Sequence, residues 1–315
     1  MTSAPQAGAN PAYGPLFQAA LGGTPLQFPG GTVNASDATG RLGFTGPHGL
    51  NVGQAVSSEG EIRFVSAIVD ANNVQLNAPF TVLPASGGAV GPTVTHVPAT
   101  ALPSVTVFDY WSPSTAVQRL LCGAAVDEME ILLNGDYHEF HFRGLAQDVV
   151  DSSSFAAGAA QLQNFPPEPP IAGFDYSIVP GNMGQAWLGT SANQFFTITN
   201  ASVLVHNNLD PRRKEFGSSV PKAIAPGERS VTATFNLYGL DDNATVGLYQ
   251  AARQRSPITV MFQLGEVAGQ VMAVNLKSVI PEVPEFDDST NRQQWKFRAS
   301  RAQGTVDDEI AVAFA

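Results

Sequence analysis

Strict alternation of apolar and polar side chains constrains this chain more than any other feature, because only a β-strand with one buried face has that period. At 230–238, SVTATFNLY, Val231, Ala233, Phe235 and Leu237 fall on one side and Ser230, Thr232, Thr234, Asn236 and Tyr238 on the other. At 257–265, PITVMFQLG, Ile258, Val260, Phe262 and Leu264 alternate with Thr259, Met261 and Gln263. Both stretches predict half-buried antiparallel strands. A hairpin is equally plain at 127–144, DEMEILLNGDYHEFHFRG. Met129, Ile131 and Leu133 alternate before Asn134-Gly135, a pair suited to a type I′ turn, and His138, Phe140 and Phe142 alternate after it.

Between the first two strands, DDNATVGLYQAARQRSP predicts a helix. Asp241 or Asp242 can cap it, Ala244, Leu248, Ala251 and Ala252 form one face, Arg253 and Arg255 suit the C-terminal dipole, and Pro257 stops it. Met272, Val274 and Leu276 then continue the sheet, and VIPEVPEFDD is a proline-broken link to a strand in which Trp295, Phe297 and Ala299 alternate with Lys296, Arg298 and Ser300. The final stretch, GTVDDEIAVAFA, predicts a turn and a strand paired with QQWKFRAS. Ile310, Val312 and Phe314 would lie beneath Trp295 and Phe297, with Glu309 on the face of Lys296 and Arg298.

The first hundred residues have another texture. GPLFQAALGG predicts a short helix, and GLNVGQAV, EIRFVSAIVD and NVQLNAPFTV are short strands broken by Gly and Pro, with ASGGAVGPT as a linker. Residues 31–100 therefore read as a small β-module inserted near the start of a larger β-domain made of 1–30 and 101–315. The competing reading is that these strands extend the main sheet.

Only 14% of the 315 residues are charged, against a usual figure of about 25%, which suggests a surface covered by other copies or partners. A formal net charge of −11 argues against tight wrapping of nucleic acid, which needs cations to neutralise phosphate. The single Cys122 allows no internal disulfide, the opening MTSAPQAGANPAYG lacks a signal peptide's basic and apolar regions, and no run is apolar enough to span a membrane.

No reaction centre is legible. On a strand, the spacing of His138 and His141 sends them to opposite faces, so they cannot chelate one ion together, and His206 reads as a strand-end residue. The acids Asp241-Asp242, Asp287-Asp288 and Asp307-Asp308-Glu309 sit where Asp supplies caps and turns. There is no nucleophile elbow, phosphate loop, dinucleotide fingerprint or calcium loop, so neither an enzyme nor a cofactor is expected. The long polar loop NNLDPRRKEFGSSVPKAIAPGER is the candidate binding element: Arg212, Arg213, Lys214, Glu215 and Phe216 form a subunit-contact cluster suited to an acidic neighbour, with a solvated tip as the alternative.

Several stretches, in order, resemble the major tail tube proteins of long-tailed bacteriophages. GLNVGQAVSSEGEIRFV and NVQLNAPF resemble their amino-terminal part, and VFDYWSPSTAVQRLLCGAAVDEMEILLNGDYHEFHFRGLAQDVVDSSSF their opening tube-domain strands. NNLDPRRKEFGSSVPKAIAPGERSVTATFNLYG, PITVMFQLG and RAQGTVDDEIAVAFA resemble the second half. The resemblance spares about residues 156–195 and the first dozen. It implies a mainly β fold of two packed antiparallel sheets, a sandwich or barrel, with one flanking α-helix and the inserted module decorating or thickening the wall.

It further implies a virion protein assembled in the host cytoplasm without membrane contact. Copies would form stacked rings, usually hexameric, making a hollow tube whose ends meet other tail proteins and through which DNA passes during ejection without specific binding. An acidic lumen would repel phosphate. The competing function is a glycan-binding or adhesive β-sandwich using Trp111, Trp187 and Tyr176 as sugar platforms.

Overall fold

Antiparallel pairing follows the strongest alternation. In the computed structural model, which describes residues 6–110, 117–133, 138–167, 184–191, 193–212, 216–217, 220–289, 291–305 and 307–315, the strand Ser230–Tyr238 lies between Ile198–His206 and Gln294–Ala302. Arg119–Leu133 pairs with Ile198–His206, and His138–Leu145 completes this wall. Met129, Ile131, Val203, Val205, Ala233, Phe235, Leu237 and Phe297 point inward and are buried. The turn at Asn134-Gly135 lies outside the described residues.

The facing wall runs Gly184–Gly189, Ile258–Leu264, Met272–Ile280, Ala311–Phe314, Thr93–His96 and Leu26–Phe28. Met272–Ile280 joins the walls, because Val279 and Ile280 pair with Ala302 and Arg301. The protein is thus mainly β, with one sheet closed almost into a barrel. Phe235 and Phe262 meet across its interior with ring centroids 6.5 Å apart.

Two α-helices are present among the described residues. Helix α1, Gly14–Leu21, inserts Phe17 between the walls, with ring centroids 5.3 Å from Phe140, 5.3 Å from Phe142 and 5.2 Å from Phe314. It fills the gap that the strands leave. Helix α2, Asn243–Gln254, begins where the Asp242 carboxylate accepts from the Thr245 amide at 2.7 Å, buries Leu248, Ala251 and Ala252, and ends at Arg255 with φ 53°.

Residues 31–90 form a second sheet of six strands, ordered Ala55–Ser58, Glu61–Ile68, Asn73–Leu76, Arg41–Phe44, Gly31–Ser36 and Ala89–Val90. It has its own core around Val33, Leu42, Phe44, Val56, Val65 and Val74. Thr93–His96, in contrast, belongs to the barrel. The module packs flat on the barrel wall: Ile62, Phe64 and Ala78 meet Trp187, Met261, Ala273, Ala311 and Ala313. The Gln263 side chain accepts from the Ile62 amide at 2.8 Å and donates to the Gly60 carbonyl at 2.9 Å. At Gly60, with φ +78°, an added Cβ would lie 1.9 Å from the Glu266 carbonyl oxygen, so only glycine permits this approach.

That contact corrects the half-buried reading of Ile258–Leu264. Met261 and Gln263, expected to face solvent, are buried beneath the module. The last strand is corrected too. Ala311–Phe314 pairs with Met272–Ile280 and Thr93–His96, not with the strand of Trp295. Val312 and Phe314 enter the core that holds Phe297, while Ala311 and Ala313 face the module, where small side chains let two sheets approach.

Glu309 does not join Lys296 and Arg298. Its carboxylate accepts from Arg229 at 2.9 Å, and the same guanidinium donates to Asp307 at 3.2 Å and the Ala99 carbonyl at 2.6 Å. A third correction concerns Ala299, whose φ of 48° breaks the alternation. The register shifts there, so Ser300 is buried and Ala299 exposed.

His96 is buried between Phe17 and Phe314, with Nε2 3.0 Å from Asn10 Oδ1 and Nδ1 without a partner. Burial pushes its imidazole down to about 4 from 6.5. The folded state therefore favours neutral His96; its stabilisation is complete above the unfolded pKa and disappears as pH falls through the folded one, a loss of about 3 kcal/mol. Thermal melts of the wild type and His96→Gln should diverge between those pH values, with the wild type losing more. Parallel pH profiles would exclude this role for His96.

Candidate functional site

Among the described residues, chemistry-bearing side chains do not converge. Among the described residues no group of three or more His, Cys, Asp or Glu could hold a metal ion. Burial and the nearby Asp148 carboxylate raise the Cys122 thiol above its ordinary value, which leaves little thiolate at neutral pH. His141 lies 3.0 Å from Glu139 and 3.7 Å from Glu130, and His206 lies 3.6 Å from Asp127, each an ordinary surface pair. No helix among the described residues is long and apolar enough to cross a membrane.

What the barrel does present is exposed apolar surface at both ends of the wall built on Ser230–Tyr238. At the Ser230 end, Arg119–Leu133 runs beyond the barrel, where residues 119–121 and 124 pair with Val105–Asp109 on one side and residues 119–122 pair with Asp148–Asp151 on the other. This three-stranded flap places Val107, Leu121 and Val149 side by side; Val107 is 38% and Val149 56% exposed. Arg119 and Asp109 form an ion pair of 2.6 Å beside them. A row of aliphatic side chains across three strands is an interface pattern, because burial of each adds about 1.5–3 kcal/mol.

From the same end rises the predicted loop. Asp210–Pro211 pairs with Ile224–Ala225 as a short ribbon, and the Arg212 amide donates to the Ala223 carbonyl at 2.9 Å. Gln147, in the turn after His138–Leu145, donates to the Lys222 carbonyl at 3.3 Å and ties the ribbon to the flap. Phe216 is 104% exposed, so its whole ring projects into solvent. Arg213, Lys214 and Glu215 lie outside the described residues.

The opposite, Tyr238 end carries a different surface. Phe196, Leu240, Val246 and Phe286 are exposed there. Phe286 packs edge-on to Trp295 with centroids 5.7 Å apart, and Tyr249 of α2 lies 5.5 Å from the same indole. At this end Glu285 flanks Phe286 on the same strand, Asp288 follows that strand and Asp241 precedes α2, and all three acids are exposed. A hydrogen bond from Lys296, reinforced by Ser289, holds Asp287 well below the usual carboxylate range, so it is ionised.

Between the two ends, no described element covers the outer face of this wall, which is mostly polar. A shallow groove of about 390 Å³ is lined by Leu132, Asn200, Ser202, Thr234, Asn236, Lys296 and Arg298 among others. Its cations are neutralised in place, Lys296 by Asp287 and Arg298 by Glu285 at 2.9 Å. Arg143 pairs likewise with Glu128 at 3.3 Å.

The sugar-platform residues fare differently. Trp187 is 8% exposed, with the Arg63 guanidinium 4.7 Å from its ring centre, so it offers no face to a ligand. Trp111 and Tyr176 lie outside the described residues. Sequence reasoning missed the flap and the Phe196–Phe286 surface, because exposed apolar residues in strands have the same alternation as buried ones. In VTVFD and DVVD the only available signal was their distance from the barrel repeats. Compared with known families and curated proteins, this chain matches no family model and no curated protein.

Proposed function

We propose that this chain is a structural subunit that self-assembles into stacked rings forming a hollow tube, a conduit for DNA in the tail of a long-tailed bacteriophage. The observation that carries the reading is the exposed apolar surface at both ends of one barrel wall: the Val107–Leu121–Val149 row and Phe216 at one, Phe196 and Phe286 at the other. Neither end is covered by the described residues, and neighbouring copies would cover both. The edge of His138–Leu145, which pairs on one side only among the described residues, adds a route for sheets of adjacent copies to join.

The two walls suit different surroundings. The module covers one, which would face outward and thicken the tube. The other is lined by Ser202, Thr232, Thr234 and Asn236, with its cations neutralised internally, and would face the lumen. DNA sticks to a surface through unpaired Lys and Arg that displace counterions, so a hydroxyl-rich wall with paired cations lets it slide. The overall charge of −11 acts in the same direction.

Negative-stain microscopy of the purified chain tests the reading: rings or tubes with a central hole are expected, and discrete monomers at high concentration would refute it. Replacing Arg212, Arg213 and Lys214 together by Glu should weaken assembly while leaving the melting temperature unchanged. Normal tubes from that variant would show that the loop is only a solvated tip.

A further inference from the structure

The barrel is closed on one side by side chains alone. Among the described residues no backbone pairing joins His138–Leu145 to Thr93–His96 or to Ala311–Phe314, and α1 fills the seam between them. Phe17 touches Phe140 and Phe142 on one border of the seam and His96 and Phe314 on the other. Tyr13, one turn earlier, repeats the span, with ring centroids 5.6 Å from Phe140 and 5.7 Å from Phe314.

The two ends of α1 are held unequally. At its C-terminal end the Ala20 carbonyl accepts from Asn207 at 2.9 Å, and the Leu21 carbonyl accepts from the Ala99 amide at 2.8 Å and from Arg229 at 3.4 Å. Just beyond, the Gly23 amide donates to the Val97 carbonyl at 3.1 Å. At the other end the N-cap residue, Tyr13, makes no side-chain capping bond. Among the described residues this end is tied to the barrel by one hydrogen bond, from His96 Nε2 to Asn10 Oδ1 at 3.0 Å. Because the Asn10 oxygen accepts, neutral His96 carries its proton on Nε2 and leaves Nδ1 bare. A second proton puts a positive charge and an N–H donor at a fully buried side chain that offers Nδ1 no acceptor.

We propose that α1 is a plug held by a proton-sensitive latch: protonation of His96 frees the Asn10 end, residues 6–18 swing outward about the pinned Ala20–Gly23 end, and the seam opens. Phe140, Phe142 and Phe314 are then uncovered beside the one-sided edge of His138–Leu145. The device stands independently of the assembly proposed above. Burial alone lowers His96, to about 4. Thr93–His96 and Ala311–Phe314 carry no other titratable side chain. Tyr13, on the plug itself, is pushed up to about 12 by burial and stays neutral. From the edge strand, His141 pairs with Glu130 and Glu139, and Arg229, Asp307 and Glu309 gather at the pinned end of α1.

Native-state hydrogen exchange of the full chain, corrected for the intrinsic rate at each pH, tests the latch. Opening moves His96 from a site where it titrates at about 4 into water, where it titrates at 6.5. The opening constant should therefore rise about tenfold per pH unit between those values as pH falls, about 300-fold in all. Residues 6–18 should lose protection by that factor and be less protected than Ser230–Tyr238 and Met272–Ile280 at every pH. In His96→Gln, whose amide still donates to Asn10 and does not titrate, their protection should stay flat. Equal protection of 6–18 and the core strands would mean that the plug leaves only on global unfolding. An equal acid loss in His96→Gln would mean that another group controls it, and either result overturns the latch. Asn10→Ala, at an exposed position, removes the same bond without altering the core. It should lower protection of 6–18 at neutral pH roughly fivefold, the worth of one hydrogen bond. Unchanged protection in that variant would equally overturn the proposal.

Discussion

Ending the chain before Ile310 should leave no folded protein. Ile310, Val312 and Phe314 are each buried to 6% exposure or less in the barrel core, and Ala311 and Ala313 are sealed against the module on the other face. Burial of the three large side chains contributes about 5–9 kcal/mol, comparable with the net stability of a whole domain, about 5–15 kcal/mol. The strand also pairs on both sides, so its loss strips hydrogen bonds from Met272–Ile280 and Thr93–His96 at once. Beyond it, the Ala315 amide donates to the Val271 carbonyl at 3.0 Å, and its own carbonyl accepts from Gly269 at 2.8 Å. Circular dichroism and soluble yield of the truncated chain check this. A soluble product with native near-ultraviolet signals and a cooperative melt would show that the last strand is dispensable.

Arg63→Met should destabilise the protein by about 3–5 kcal/mol, the usual loss when one partner of a buried ion pair is removed. Arg63 has no exposed side-chain surface. Its guanidinium donates to Glu61 at 2.9 Å and to the carbonyls of Pro79 and Ile62 at 2.8 Å each, and it stacks against Trp187. Burial pulls it down to about 10, with Glu61 opposing the shift, so it remains protonated at neutral pH. Glu61 also accepts from Gln185 of the barrel at 2.9 Å, so the pair is part of the seam between module and barrel.

With methionine in place, the Glu61 carboxylate would stay mostly buried with its charge uncompensated. Adding Glu61→Gln should recover much of the loss, because the uncompensated charge disappears with it. Thermal denaturation of the wild type, the single and the double variant decides. A single variant that melts like the wild type would mean that the pair does not secure the seam.

Legibility in the sequence tracked how locally each fact is determined. Val231, Ala233, Phe235 and Leu237 announced a half-buried strand because one face meets the core and the other solvent, and alternation records that difference. Met261 and Gln263 defeated the same logic. What buries them is a module some two hundred positions away, and no local pattern encodes a second covering sheet. The last strand was recognised but given the wrong partner, since alternation specifies which residues face inward and not which strand lies alongside. The alanines at 311 and 313 were the overlooked clue: small side chains on the second face of a strand mark another sheet packed close.

The exposed apolar surfaces were legible only where they lie in a loop. Phe216 stood out within a long polar stretch, whereas Phe196 and Phe286 were hidden among the aromatics of a β-rich chain. Exposure of one aromatic and burial of the next depend on tertiary packing. Ser300 was misplaced for a simpler reason: a single left-handed residue, Ala299, turns the rest of its strand over.

Arg119–Leu133 is one continuous backbone shared by the flap and the barrel. A load applied to the flap along that strand reaches the barrel through Gly123, whose φ is 60°, and a bulge at Val126–Glu128. There it meets hydrogen bonds to Ile198–His206 and His138–Leu145 that lie perpendicular to the pull, so they bear it in shear and together, whereas peeling would break them in turn. A slip of one residue would also swing Met129 and Ile131 out of the core. The barrel half of the strand is therefore a mechanical tie that resists slipping, and tension on the flap would be carried by the most deeply buried layer of the protein.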